Sequence, residues 1–179
     1  VRGLLAGLEE AARASARRAD ILQALTLLMD RHYEVGEKRR SSLLALYDAC
    51  FGRALESIRQ KPGVDFAWLA FGAPLSAPAG DGQTVIVDGR GFPPEGSDSA
   101  GMCLKRLYAA GFRRFMLVNA GGHRFIGNGF GPETKGVRID VYGSSGDYLA
   151  SGIDGLEIYV HNNGQDQLAQ IMKSGKLVV

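Results

Sequence analysis

The C-terminal third of the chain repeats at a spacing of nineteen residues. Ile139, Ile158 and Leu177 form one series, and Val141, Val160 and Val179 a second. Asp147 and Asp166, Leu149 and Leu168, and Ala150 and Ala169 recur at the same interval. Within each copy the apolar residues alternate, as in Val137-x-Ile139-x-Val141 and Leu156-x-Ile158-x-Val160, which is the pattern of a strand with one buried face. One such strand per repeat cannot bury its apolar face alone. It must stack on the next copy, so the repeat predicts coils of a parallel β-helix. Two unrelated hairpins would match more loosely; here the register holds through strand, turn and second apolar cluster without a gap. Ile139, Val141, Ile158 and Val160 are then expected in one core, with Asp140 and Glu157 pointing outward. The third copy departs at Gly175, where an apolar residue is expected, and the sequence stops at Val179 within that copy. An open coil end leaves backbone unpaired. Together with a first residue that is Val1, this leads to the expectation of a covering partner or a longer parent chain.

The 179 residues suffice for one good core or two small ones. A hydrophobic share of 45% with 22% charged residues is that of a globular protein. A net charge of +2 gives no electrostatic case for nucleic acid or membrane binding. The basic runs Arg17-Arg18 and Lys38-Arg39-Arg40 read as solvated helix faces or starts. Cys50 and Cys103 both stand among apolar residues in helical patterns, which predicts buried thiols and a reducing, cytoplasmic compartment. No apolar run reaches transmembrane length. Glu9 and Glu10 among the N-terminal arginines oppose a transit peptide.

Three segments follow in order. Residues 1–63 read as helical. Leu4, Leu5, Leu8, Ala11 and Ala12, then Ile21, Leu22, Leu25, Leu28 and Met29, recur at intervals of three and four. Ser41 or Ser42 is expected to cap a second helix with Leu43, Leu46, Tyr47, Cys50, Phe51, Leu55 and Ile58 on its apolar side, ended by Lys61-Pro62-Gly63. Residues 64–83, with Gly72, Pro74, Pro78, Gly80 and Gly82, read as a linker at the domain boundary. The second domain spans 84–179. In it, 84–118 reads strand, loop, helix, strand, with Ser97 or Asp98 capping the helix and Gly111 stopping it. That is the spacing of a parallel crossover. Residues 119–179 supply the coils. The fold class is thus α+β: N-terminal helices, a small strand-helix-strand unit, then β-helix coils.

Gly127-x-Gly129-x-Gly131 resembles part of a dinucleotide fingerprint. That motif needs a further glycine three places on and a following helix. Pro132 and a strand-like stretch come instead, so these glycines are read as tight turns into the first coil. The histidines, His32, His123 and His161, lack ligand spacing and are read as surface or turn residues. Asp147 and Asp166, one period apart, could form a stacked carboxylate pair for acid–base work. The simpler reading is a turn aspartate binding backbone N–H groups on each coil. An N-terminal-nucleophile amidotransferase needs an N-terminal cysteine. Iron–sulfur ligation needs a cysteine cluster. A flavin-binding barrel needs about 250 residues. No catalytic, cofactor-binding or metal-ligating residues are therefore assigned.

The stretch Gly136-Val137-Arg138-Ile139-Asp140-Val141-Tyr142-Gly143-Ser144-Ser145-Gly146-Asp147-Tyr148-Leu149-Ala150-Ser151-Gly152-Ile153-Asp154-Gly155, with Glu157 to His161 and Gln165 to Leu168, resembles the glycine-repeat (GXGXG) domain of glutamate synthases. Gly91-Phe92-Pro93-Pro94-Glu95-Gly96 and Gly129-x-Gly131-Pro132 resemble its stand-alone relatives. The match covers residues 84–179 and leaves the N-terminal helices outside.

The resemblance implies a right-handed β-helix without catalytic residues of its own. Its structural motif would be Gly127, Gly129, Gly131, Gly143, Gly146, Asp147, Gly152, Gly155 and Asp166. The implied partners are a glutamine amidotransferase subunit and a flavin-containing synthase subunit. FMN and iron–sulfur clusters are expected on those partners, and the joint reaction would move ammonia from glutamine to 2-oxoglutarate. The family's domain normally continues for several more coils. Related β-helices occur in formylmethanofuran dehydrogenase and N-methylglutamate synthase, and many free-standing β-helices bind or cleave carbohydrate. The last would need a stripe of exposed aromatics, or clustered Asp and Arg, on one coil face. Tyr142 and Tyr159 stand 17 apart, two short of the repeat, and so fall out of register.

Overall fold

A computed structural model describes residues 3, 6, 7, 10, 18–37 and 39–179. The expected apolar positions Leu4, Leu5, Leu8, Ala11 and Ala12 lie outside the described residues. The chain forms two compact units, Val1–Gly63 and Val64–Val179.

In the first unit, α1 (Arg18–Asp30) and α2 (Arg40–Gln60) pack on each other. α1 buries Ile21, Leu22 and Leu25, and α2 buries Leu43, Tyr47, Cys50, Phe51, Ala54 and Ile58. These are the helical spacings expected of one apolar stripe. Arg18 Nη1 donates to the Lys61 carbonyl at 2.6 Å, tying the start of α1 to the end of α2. Neither Ser41 nor Ser42 caps α2. The helix begins earlier, with extended Arg39 at the cap position and no side-chain bond there. At the other end the Lys61 N–H reaches the Ser57 carbonyl, and Pro62 follows. Proline has no N–H to donate and disfavours helical geometry at Lys61.

The second unit is one sheet of six parallel strands in sequential order: β1 (Phe66–Leu69), β2 (Thr84–Asp88), β3 (Arg114–His123), β4 (Arg138–Ser145), β5 (Asp154–Val160) and β6 (Ser174–Val178). Sequential neighbours that all run the same way require a return path after each strand, so the sheet is one wall of a β-solenoid. Ile139 lies opposite Ile158, and Ile158 opposite Leu177, which gives the nineteen-residue step. Earlier coils are of other lengths. Phe66 faces Thr84, Val85 faces Phe115, and Phe115 faces Ile139. The longest of these steps accommodates α3 (Ala100–Ala109), the helix of the parallel crossover.

Two expectations change here. The segment 64–83, read as a linker, contains β1, which pairs residue for residue with β2. The run Phe66-Ala67-Trp68-Leu69 is too short to show a period, so only its pairing with Thr84–Val87 reveals it as the first strand. The irregular part is confined to the stretch after Leu69. Second, α3 is capped by Ser99, not by Ser97 or Asp98; the Ser99 hydroxyl accepts from the Met102 N–H at 3.3 Å.

The solenoid core is continuous from coil to coil. Val85, Val87, Phe115, Leu117, Ile139, Val141, Ile158 and Val160 line it from the sheet. Leu104 and Leu107 enter from α3, and Ile126, Leu149, Ile153 and Leu156 from the return paths. Each such side chain contributes about 1.5–3 kcal/mol by leaving water. Gly175 is not a lapse in the repeat. It sits at a bulge between β5 and β6, where a Cβ would overlap the Leu156 carbonyl.

Candidate functional site

The Gly127-x-Gly129-x-Gly131 run belongs to a backbone device, and its register differs from the written motif. Phe125, Gly127 and Gly129 have φ of 59, 86 and 71°. On the next coil Tyr148, Ala150 and Gly152 take 59, 59 and 70°, and on the following one Gln167, Ala169 and Ile171 take 60, 52 and 49°. Alternate residues of three successive return paths are thus left-handed, a state that costs a non-glycine residue about 1–2 kcal/mol. What holds them there is a second hydrogen-bond ladder. Phe125 N–H donates to Asp147 O, Ala150 to Ile126 O, Tyr148 to Asp166 O, Ala169 to Leu149 O and Gly152 to Gln170 O, at 2.8–3.2 Å. The structural triplet starts at Phe125, and Gly131 lies beyond it. A Cβ at 127 would come within 2.5 Å of Ile158 Cδ1, the movable tip of a side chain. Glycine is required at Gly143, φ 115°, where a Cβ would overlap the Ala120 carbonyl of the neighbouring strand. Gly146 lies against the Gly122 carbonyl and Gly155 against Lys135 N in the same manner.

Asp147 and Asp166 do not form a carboxylate pair. Asp147 Oδ1 accepts from the backbone N–H of Asp166 at 3.3 Å, and its Oδ2 faces Arg124 Nε at 3.6 Å. The turn-aspartate reading holds for Asp147: it stitches one coil to the next. Arg124 extends the stitch, since Nη1 also pairs with Glu95 at 2.5 Å and its guanidinium lies over Phe125 and Tyr148, whose rings stack at 5.1 Å.

The densest polar cluster was not anticipated. It lies on the outer face of β4 and β5. Arg138 grips Asp140 with two bonds of 2.7 Å, and His161 Nε2 lies 3.0 Å from Oδ1, the oxygen that Arg138 Nη2 also bonds. His161 is stacked on Tyr142 at 4.4 Å, and its side chain is only 5% exposed. The Arg138 guanidinium covers the Tyr159 ring at 4.1 Å, and the Tyr159 hydroxyl donates to Glu157 at 2.9 Å. Burial alone would raise the Asp140 carboxyl. The bonds and positive charges of Arg138 and His161 outweigh it and hold Asp140 below the usual carboxylate range. The bond to Asp140 in turn raises Arg138. His161 is therefore not a surface histidine, and its carboxylate partner is Asp140, neither Asp147 nor Asp166. A sequence signal existed. The nineteen-residue step sets Asp140 opposite Tyr159. The two-residue strand period then brings Tyr142 and His161 together on that face.

A second cluster closes the C-terminal ends of β2 and β3. Asp88, nearly buried, is held by Arg90 through contacts of 2.5–3.0 Å and by the Asn119 amide at 2.8 Å. Burial again works to raise the acid, and these partners together bring it below its ordinary value. His123, read as a surface or turn residue, is buried in β3, and its Nδ1 accepts from the Gly121 N–H at 3.2 Å. That bond places the ring proton on Nε2. His123 and His161 are not brought together with Asp147 and Asp166 into one site. Among the described residues no group of three or more His, Cys, Asp or Glu is arranged to hold a metal ion. Both cysteines are buried free thiols, and burial pushes Cys103 up to about 11. Cys103 borders an open apolar groove formed by Leu69, Phe71, Leu75 and Phe92 with Arg106 at its rim.

No family model matches this chain, and neither does any curated protein or solved structure. The class of protein is defined by the fold: a parallel β-solenoid joined in one chain to a helical unit. No described helix is long and apolar enough to cross a membrane.

Proposed function

We propose that this chain is a non-catalytic scaffold domain or subunit of a glutamate-synthase-like oxidoreductase. In this reading it holds an amidotransferase and a flavin-containing synthase in fixed relation, in the cytoplasm, while ammonia passes from glutamine to 2-oxoglutarate. FMN and iron–sulfur chemistry would reside on those partners. The observation that supports it is how the chemically capable side chains are used. Asp140 is gripped by Arg138 and His161, Asp88 by Arg90 and Asn119, and Asp147 by a backbone N–H of the next coil. A carboxylate gripped by an arginine and hydrogen-bonded to a histidine, and so held below its usual pKa, is a poor proton acceptor, because the lowered pKa removes the driving force for general base catalysis. The same bonds make neighbouring coils rigid, which is what a spacer between two active centres needs. Of the two marks of a carbohydrate-binding coil face, the aromatic faces are covered, Tyr142 by His161 and Tyr159 by Arg138, while Arg138 and Asp140 do cluster on one face and are spent on each other.

The test is reconstitution. The full-length gene product should copurify with the flavin subunit, and glutamine-dependent glutamate formation should require both. A stable monomer with no such partner, whose removal leaves that activity unchanged, would defeat the scaffold reading.

A further inference from the structure

We infer that Asn163 is a modification site: its side-chain amide converts spontaneously to an acid through a cyclic imide with Gly164, and the change loosens the bond between two coils. This does not depend on the scaffold reading. Asn163-Gly164 lies in the connection between β5 and β6, in a stretch of bend and irregular backbone, with Asn163 exposed. Among the described residues, nothing bonds to the Asn163 side chain, and the Gly164 N–H has no acceptor. The amide carbon is thus open to attack, and the attacking nitrogen donates no hydrogen bond of its own, although its peptide carbonyl accepts one, and it carries no Cβ to shield it. Asparagine is thermolabile for this reason.

The molecule contains an internal comparison. Asn128-Gly129 has the same two residues, but Asn128 is half-buried, its Oδ1 is closed off from solvent, and its N–H donates to Phe125 O at 3.1 Å. It also sits in the left-handed ladder, where the backbone on both sides is fixed. Sequence alone ranks the two sites equally; the fold separates them.

The chemistry balances without an oxidant or cofactor. The Gly164 nitrogen, having lost its proton to base, bonds to Cγ of Asn163. The Cγ–Nδ2 bond breaks and ammonia leaves. Water then opens the ring at either carbonyl, to aspartate or to isoaspartate. In the isoaspartate the chain runs through Cγ, one methylene longer, and the former main-chain carbonyl becomes a free carboxylate. That carbonyl is the one that accepts from Ser145 N–H at 2.9 Å, the bond joining the end of β4 to the turn above it.

The full chain would be aged at mildly alkaline pH and mapped by peptide mass spectrometry, with isoaspartate detected by enzymatic carboxyl methylation. The expected result is amide-to-acid conversion at Asn163 in most chains, while Asn128 and Asn162 keep their amides. The rate should rise with hydroxide concentration, and Asn163→Gln should abolish the product. Aged wild-type protein should unfold at lower urea concentration than equally aged Asn163→Gln. The site assignment is overturned if Asn163 survives while a synthetic peptide spanning residues 158–173 converts, or if Asn128 or Asn162 reacts first. Equal loss of stability in wild type and Asn163→Gln would overturn the effect on the coils.

Discussion

Alanine at three of the motif glycines separates backbone strain from coil spacing. Gly131 has φ 87° and open space where a Cβ would go, so Gly131→Ala carries only the left-handed cost, about 1–2 kcal/mol. Gly127→Ala adds a clash with the tip of Ile158, a side chain that can turn aside; roughly another 1 kcal/mol is expected for crowding a packed core. Gly143→Ala is different in kind. Its φ of 115° lies where glycine is nearly alone, at about 1–3 kcal/mol. The new methyl also meets the Ala120 carbonyl and nitrogen, backbone that can yield only if β3 and β4 part. Overpacking adds about 1–3 kcal/mol, for a sum of roughly 2–6 kcal/mol. Against a total of about 5–15 kcal/mol for an ordinary domain, that is a large share. Trp68, the single tryptophan, lies on β1 and reports solenoid unfolding by fluorescence in urea. The midpoints should fall in the order Gly131→Ala, Gly127→Ala, Gly143→Ala, with similar slopes. If Gly143→Ala costs no more than Gly131→Ala, the close approach of the coils is not what demands glycine there.

Ile158 is fully buried between Ile139 and Leu177, so Ile158→Ala should cost about 2–5 kcal/mol in the same urea assay; Ile158→Asp should yield no folded solenoid by circular dichroism, and a soluble, cooperatively melting variant would contradict the shared core. Asp140 is held below its ordinary pKa, so the stability it lends is complete above the unfolded value of about 3.9 and drains as pH falls through the folded value. Asp140→Asn should therefore flatten the acid limb of a melting-temperature profile and lower stability near neutrality; an unchanged acid limb would show that the carboxylate cluster does not couple to folding. Cys103 is buried with its pKa raised to about 11, so native protein should react with iodoacetamide at pH 8 far more slowly than a free thiol and recover that rate in urea; prompt native labelling of Cys103, located by peptide mapping, would contradict the burial.

The repeat was legible because a solenoid writes its geometry into spacing. Ile139, Ile158 and Leu177 must fill one stack, so their interval is the coil length itself, and the strand period of two then assigns inside and outside. The crossover through α3 was legible for the same reason, from β-branched runs on either side of a helical pattern. What the spacing could not carry was which groups on neighbouring coils bond to one another. β1 has four residues and no period, and only Thr84–Val87 beside it makes it a strand. Left-handed Tyr148, Gln167 and Ile171 carry no glycine to announce them, since the cross-coil hydrogen bonds, not the residue type, impose their φ. The grip of Arg138 and His161 on Asp140 joins residues two and twenty-one positions apart, neither the repeat length. Side-chain chemistry of that kind follows from which strand lies beside which, and that is decided by the stacked coils as a whole.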